Sequence, residues 1–194
     1  MSRKMIVLAA ICVALVLGAA MTLRSRSQDP ARTSGPDITQ AVTDEVISGY
    51  KKWTRVNPKP TQVPAQVSQL CAPAFGPVSP HASDKYITVY VNEIGRHAMM
   101  EEKTPHFPQG SVIVKEKLTN LKSTTPELLT VMVKRERGYN PESGDWEYII
   151  IDGNGLSVKE RGKLQNCQSC HLVDKSTDYV SRNYLPAEVA KQLK

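Results

Sequence analysis

Several features are scarce in this chain, and each scarcity narrows what it does. It has two Phe, two Trp and seven Tyr in 194 residues. Lys and Arg outnumber Asp and Glu by 25 to 19, for a net charge of +6 and a pI of about 9.1. Yet no basic run exceeds a pair such as Lys51-Lys52, and no aromatic stripe interleaves with the basic residues. A nucleic-acid surface requires a clustered basic face, so no nucleic-acid partner is expected. There are only four cysteines, with a single closely spaced pair, and no internal repeat. A zinc site built on that pair would lack a second paired motif.

The first stretch of the chain is apolar. Arg3 and Lys4 precede Met5 to Leu23, a run broken only by Gly18 and Thr22, with Gly18-Ala19-Ala20 offering small residues to a signal peptidase. The run is also about long enough to span a thin bilayer core, and Arg24 and Arg26 follow it, as is normal after a span. Basic residues flank both ends, so charge leaves signal peptide and uncleaved anchor both standing. Either reading puts the bulk of the chain in the periplasm or another extracytoplasmic space, in the second case tethered through 5–23. Cys12 is an apolar member of the run, and Ile11 before it argues against a lipoprotein site.

The expected organisation is a signal peptide or anchor over 1–23, a polar linker over 24–36 and one domain over 37–194. About 150 residues suffice for a single core. Behind Asp37, the residues Ile38, Val42, Val46, Tyr50 and Trp53 recur at helical spacing. Six prolines between Asn57 and Pro80 exclude a long helix and suggest a wrapping loop. Four segments rich in β-branched and aromatic residues then read as strands: 86–91, 111–118, 128–134 and 146–151. Glu93 to Lys103 reads as a short crossover helix, and 138–144 as hairpin turn chemistry. The expected fold is α+β, mostly β. It comprises an antiparallel sheet of four to five strands with N-terminal, crossover and C-terminal helices.

The chemistry lies near the end. Cys167-Gln-Ser-Cys170-His171 is a C-x-x-C-H sequence, the attachment signature of c-type haem. Two cysteines three apart on a helical turn meet the two vinyl groups of one porphyrin edge, and the next residue turns its imidazole to the iron. A thioredoxin-like pair belongs in a βαβ unit, which is absent here, and a plain disulfide would not require the histidine. One haem c is therefore expected, with thioethers to Cys167 and Cys170 and His171 as proximal iron ligand. Cys71 has no evident partner; a buried inert thiol and an intermolecular disulfide are its two readings. The sixth iron position decides between electron carrier and gas binder or catalyst, and Met99, Met100, Met132, His81, His97 and His106 are the possible ligands.

Four pieces in order resemble the cytochrome P-460 family, which includes the cytochromes c′-beta. They are Ile87-Thr-Val-Tyr-Val-Asn92, Phe107-Pro-Gln-Gly-Ser-Val-Ile-Val-Lys-Glu116, Glu142-Ser-Gly-Asp-Trp146, and the C-x-x-C-H tail followed by Asp178-Tyr-Val-Ser-Arg-Asn-Tyr-Leu-Pro186. The match covers about 85–186; the N-terminal helix and Pro-rich loop resemble the family only loosely. The resemblance implies haem packed against the sheet, five-coordinate iron and often a homodimer. Catalytic members oxidise hydroxylamine and carry a lysine bonded to a meso carbon of the macrocycle, which corresponds to Lys115 here. By strand alternation Lys115 and Lys117 share a face with Ile113, so Lys117 is the fallback. Without the resemblance, a lysine in a strand reads as a solvated side chain or an edge guard.

Two positions depart from the catalytic pattern: Thr130 stands where an acidic distal residue is expected, and Ile87 where a basic one is. Phe107 matches a phenylalanine that caps the iron in the c′-beta branch, and its other reading is core packing beside the turn. Three functions are thus carried forward. The first is redox chemistry on hydroxylamine or a related small nitrogen oxide, with an electron-transfer partner. The second is nitric oxide or gas binding without turnover. The third is electron transfer through six-coordinate iron.

Overall fold

A strand with apolar side chains on both of its faces needs cover on both sides of its sheet, and four consecutive strands here are of that kind. The computed structural model describes residues 38–65, 83–154 and 157–194. The expected signal or anchor segment and linker, Asp37, Cys71 and His81 lie outside the described residues. Among the described residues, no helix is long and apolar enough to cross a membrane.

The helix α1 (Ile38–Gly49) continues as a 3-10 turn, Tyr50–Lys52. The strands β1 (Thr54–Arg55) and β2 (Thr61–Val63) follow, then β3 (Lys85–Val91) and the helix α2 (Glu93–Met100). Next come β4 (Val112–Leu118), β5 (Leu128–Lys134), β6 (Trp146–Asp152) and β7 (Val158–Gly162). The haem-motif helix α3 (Gln165–His171), a 3-10 segment Leu172–Thr177 and α4 (Ala187–Gln192) complete the chain. All pairings are antiparallel, in the order β1-β3-β4-β5-β6-β7, with β2 also on β3.

The fold is the expected α+β, mostly β class, but among the described residues its sheet has seven strands. The additional strands are short, or polar and at the edge. Thr61-Gln62-Val63 lies between Pro60 and Pro64 and still pairs with β3, so the Pro-rich stretch is not wholly loop. An edge strand tolerates flanking prolines because one of its sides needs no ladder donors. Asn57 pins this edge: its Nδ2 donates to the Ile87 carbonyl (2.8 Å) and its Oδ1 accepts from the Val89 amide (2.9 Å).

Alternation along β3 to β6 divides the core in two. One face carries Ile87, Val89, Ile113, Met132, Trp146 and Tyr148, packed with Phe107, Met99 and Tyr179. The other carries Tyr90, Val114, Val131, Val133, Ile149 and Ile151, covered by Val46 and Tyr50 of the N-terminal helical segment. There the buried Glu116 accepts a hydrogen bond of 2.5 Å from the Tyr50 hydroxyl. The α2 helix starts at Asn92, whose Oδ1 accepts from the amides of Gly95 (3.1 Å) and Val112 (3.0 Å), fixing the helix to the first turn of β4. Its C-terminal carbonyls are met by Arg182, which donates to Met99 (2.9 Å) and Ala98 (3.3 Å). That contact ties the C-terminal tail across the first face.

Candidate functional site: an apolar cavity between sheet and tail

The first face of the sheet is not wholly filled by side chains. A cavity of about 260 Å³ lies between it and the tail. Val89, Ile113, Lys115, Thr130, Met132 and Ile150 line it from β3 to β6; Cys167, Cys170, His171, Asp174 and Val180 line it from the tail. Lys115 and Thr130 are Cα partners across the β4–β5 ladder, and both are half-buried. Their position follows from alternation: Val114 and Glu116 point to the opposite face, where Glu116 meets Tyr50.

Helix α3 places Cys167 and His171 one turn apart. Cys167 and Cys170 are not joined in a disulfide. The Nδ1 of His171 lies 2.8 Å from the Tyr179 carbonyl oxygen. A carbonyl only accepts, so Nδ1 carries the proton and Nε2 holds the lone pair. The His171 pKa is lowered to about 4, first by burial and then by the Lys115 charge, against the Tyr179 hydrogen bond, which raises it. At neutral pH the imidazole is therefore uncharged, with its tautomer fixed. Tyr148 packs beside it, with ring centroids 5.5 Å apart, and bonds Ser143 through its hydroxyl at 2.9 Å. Burial pushes the Tyr148 phenol up to about 12.

The Tyr179 carbonyl is presented by an unusual turn. Asp178 (φ 54°) and Tyr179 (φ 64°) are consecutive non-glycine residues in the left-handed region. Each such residue costs on the order of 1–3 kcal/mol unless its surroundings fix it. Here they do. Lys134 Nζ donates to both Asp178 carboxylate oxygens, at 2.8 and 2.6 Å, and the Phe107 amide donates to one of them at 2.9 Å. The Trp146 indole donates to the Asp178 carbonyl at 2.7 Å.

The expected residues do not all meet. Lys115, Thr130, Cys167, Cys170 and His171 share the cavity wall. Lys117 shares the face of Lys115 but is not in that wall; it is buried and faces Glu127 at 3.7 Å. Phe107 is 1% exposed and packs edge-on to Trp146, 5.5 Å between centroids, in the core rather than the cavity wall. Ile87 is likewise in the core. Of the methionines weighed as iron ligands, Met132 lines the cavity, whereas Met99 is in the core and Met100 packs against it. His97 and His106 are exposed, with His97 3.0 Å from Glu101. Sequence reading missed Asp174, Tyr148, Tyr179 and the Lys134–Asp178 pair. The one signal available for the last was a lysine ending an otherwise apolar strand.

The arrangement fits a flat apolar cofactor with a metal centre. An apolar sheet face forms one wall, and a neutral imidazole and two thiol side chains form the other. The cytochrome P460 family model matches residues 47–182. The chain belongs to the cytochrome P460 family. The match begins before the segments that carry the resemblance in sequence, within α1, and takes in the Pro-rich stretch. Members are haem oxidoreductases, so an iron haem is this cytochrome's cofactor. No curated protein matches the chain.

Proposed function

We propose that this cytochrome P460 is an exported protein carrying one haem c, which oxidises hydroxylamine or a related small nitrogen compound. The observation that carries the reading is the meeting of Lys115 with Cys167, Cys170 and His171 around one cavity. Cys167 and Cys170 would hold the haem through thioethers to its two vinyl groups, and His171 would hold its iron through Nε2. Haem iron supplies the electron-transfer chemistry, and the electrons removed from substrate pass to an external redox partner. Lys115 is the residue for a further bond to the macrocycle. That bond removes hydrogen from both partners, an oxidation for which an oxidant such as peroxide must accept the electrons. Such bonding needs the neutral amine, the form with a nitrogen lone pair. On this reading His171 would be the one side chain that holds the iron, which would leave room for the small nitrogen ligand.

A second reading is nitric oxide or gas binding without turnover. It is favoured by Thr130, which puts a hydroxyl where a carboxylate would handle protons. The protein works in the periplasm or a comparable extracytoplasmic space, released or tethered by 5–23, and forms a homodimer.

The absorption spectrum of the reduced protein, with peptide mass mapping, tests the proposal. The expected result is a haem peptide joined to the Lys115 peptide, a high-spin spectrum unlike ordinary c-type haem, and hydroxylamine turnover with an added electron acceptor. An unmodified Lys115 peptide with tight nitric oxide binding and no turnover selects the second reading. A six-coordinate low-spin spectrum, with Met132 on the iron, selects electron transfer. Colourless protein of bare polypeptide mass removes all of them.

A further inference from the structure

We infer that Lys134 and Asp178 are positioning residues for His171. They form a buried charged brace that holds the Tyr179 carbonyl against the imidazole and so sets how strongly His171 donates to iron. The inference rests on the reading of His171 as the proximal ligand. It concerns a pair 44 residues apart in sequence that lies outside the cavity wall.

The geometry has three parts. First, the carbonyl that fixes the His171 tautomer belongs to the second of two consecutive left-handed residues, Asp178 and Tyr179. Within the tail, the backbone of that turn is held by the Asp174 carbonyl, which accepts from the Asp178 amide and from the Tyr179 amide (2.9 Å), and by the Thr177 carbonyl, which accepts from the Val180 amide (3.1 Å). Second, the attachment of the turn to the sheet converges on Asp178. Its side chain takes Lys134 and the Phe107 amide, and its carbonyl takes the Trp146 indole. The Lys134 and Asp178 side chains are only 8% and 10% exposed, and Lys134 Nζ also lies 5.0 Å from the Trp146 ring centroid. Third, Gly144 in the β5–β6 hairpin leaves room for the Tyr179 ring. A Cβ there would stand 2.6 Å from Tyr179 Cδ2 and 2.9 Å from Asp178 Oδ1.

A buried ion pair is an expensive way to fasten a turn, since well-packed apolar residues usually serve stability as well. What the pair adds is direction. Lys134 ends β5, the strand that also carries Thr130 and Met132 into the cavity, so the carbonyl is indexed to the cavity wall itself. Partners of a ligating histidine set its orientation and basicity, and changing them typically alters metal affinity or activity about 10–100-fold. A looser Nδ1–H···O bond leaves the imidazole a weaker donor, which weakens the iron–histidine bond and raises the reduction potential.

The test uses the haem-loaded protein in its reduced state. Resonance Raman reads the iron–histidine stretch, electrochemistry the potential, and haem content and melting temperature are followed alongside. Asp178→Asn keeps the shape, the left-handed preference and an acceptor for Phe107, but discharges the carboxylate. Lys134→Met removes the cation, Lys134→Arg retains it, and Gly144→Ala presses on the Tyr179 ring and the Asp178 carboxylate while keeping both charges. The expected result is a stretch moved to lower frequency and a raised potential in Asp178→Asn, Lys134→Met and Gly144→Ala, with covalent haem content unchanged. Lys134→Arg should return both towards wild type. A brace for folding alone would lower the melting temperature and leave stretch and potential in place in every folded variant, which overturns the inference. If Lys134→Met does not fold, the near-isosteric Asp178→Asn and the charge-neutral Gly144→Ala decide. A wild-type protein with no iron–histidine stretch would instead overturn the reading of His171 as ligand.

Discussion

Lys115 and Thr130 face each other across the β4–β5 ladder and share one cavity wall, a basic side chain beside a hydroxyl. If Lys115 bonds the macrocycle, Lys115→Ala leaves haem on Cys167 and Cys170 and returns the reduced spectrum to that of ordinary c-type haem. Hydroxylamine turnover should fall about 10–100-fold, as when a residue tuning a metal centre is removed. Spectra and steady-state rates check this together. Unchanged spectra and rates would remove Lys115 from the chemistry.

Thr130→Glu places a carboxylate in the wall, where burial will raise its pKa. A positioned acid–base group contributes about 10²–10⁴-fold to proton transfer. Turnover should therefore rise at least about tenfold, with a new pH-dependent limb in kcat. A fall in rate at full haem loading would mean that proton transfer there does not limit the reaction.

Phe107→Ala separates a core phenylalanine from a haem cap. From its burial and its packing on Trp146, the expected cost is about 3–5 kcal/mol of unfolding free energy, read in denaturant titrations. Nitric oxide affinity should be nearly unaltered. A large change in ligand affinity without loss of stability would return Phe107 to the distal side.

The His171 imidazole has a pKa lowered from 6.5 to about 4, so in the folded state it resists protonation. Unfolded chain binds more protons than folded chain between those values. The resulting stabilisation, about 3 kcal/mol, is present above pH 6.5 and is lost as pH falls through about 4. Acid release of His171 from iron should accordingly have its midpoint at or below about pH 4 in a spectrophotometric titration. A midpoint near 6.5, the value for unperturbed histidine, would contradict the burial argument.

Much of this architecture was legible in the chain. Strands β3 to β6 announce themselves because burial on both faces demands β-branched and aromatic residues, and period-two alternation correctly put Lys115 with Ile113. The C-x-x-C-H motif needed no fold to be read. Strand β7, Val158-Lys-Glu-Arg-Gly162, was not legible, because an edge strand packed on one side carries the composition of a loop. Lys117 was placed on the right face but lies outside the cavity wall. Alternation specifies a side of the sheet, whereas the extent of the cavity along that side is set by where the tail crosses. The pairing of Lys134 with Asp178 was not legible for a related reason: nothing local joins two ions 44 residues apart.

The two walls of the cavity also differ in when they are made. Every strand residue lining it, from Val89 to Ile150, is synthesised before Cys167, so the growing chain holds the whole platform before the attachment motif appears. A cofactor held by that late segment would be enclosed only once the final thirty or so residues dock against the strands. Arg182, gripping the end of α2, is the latch of that event.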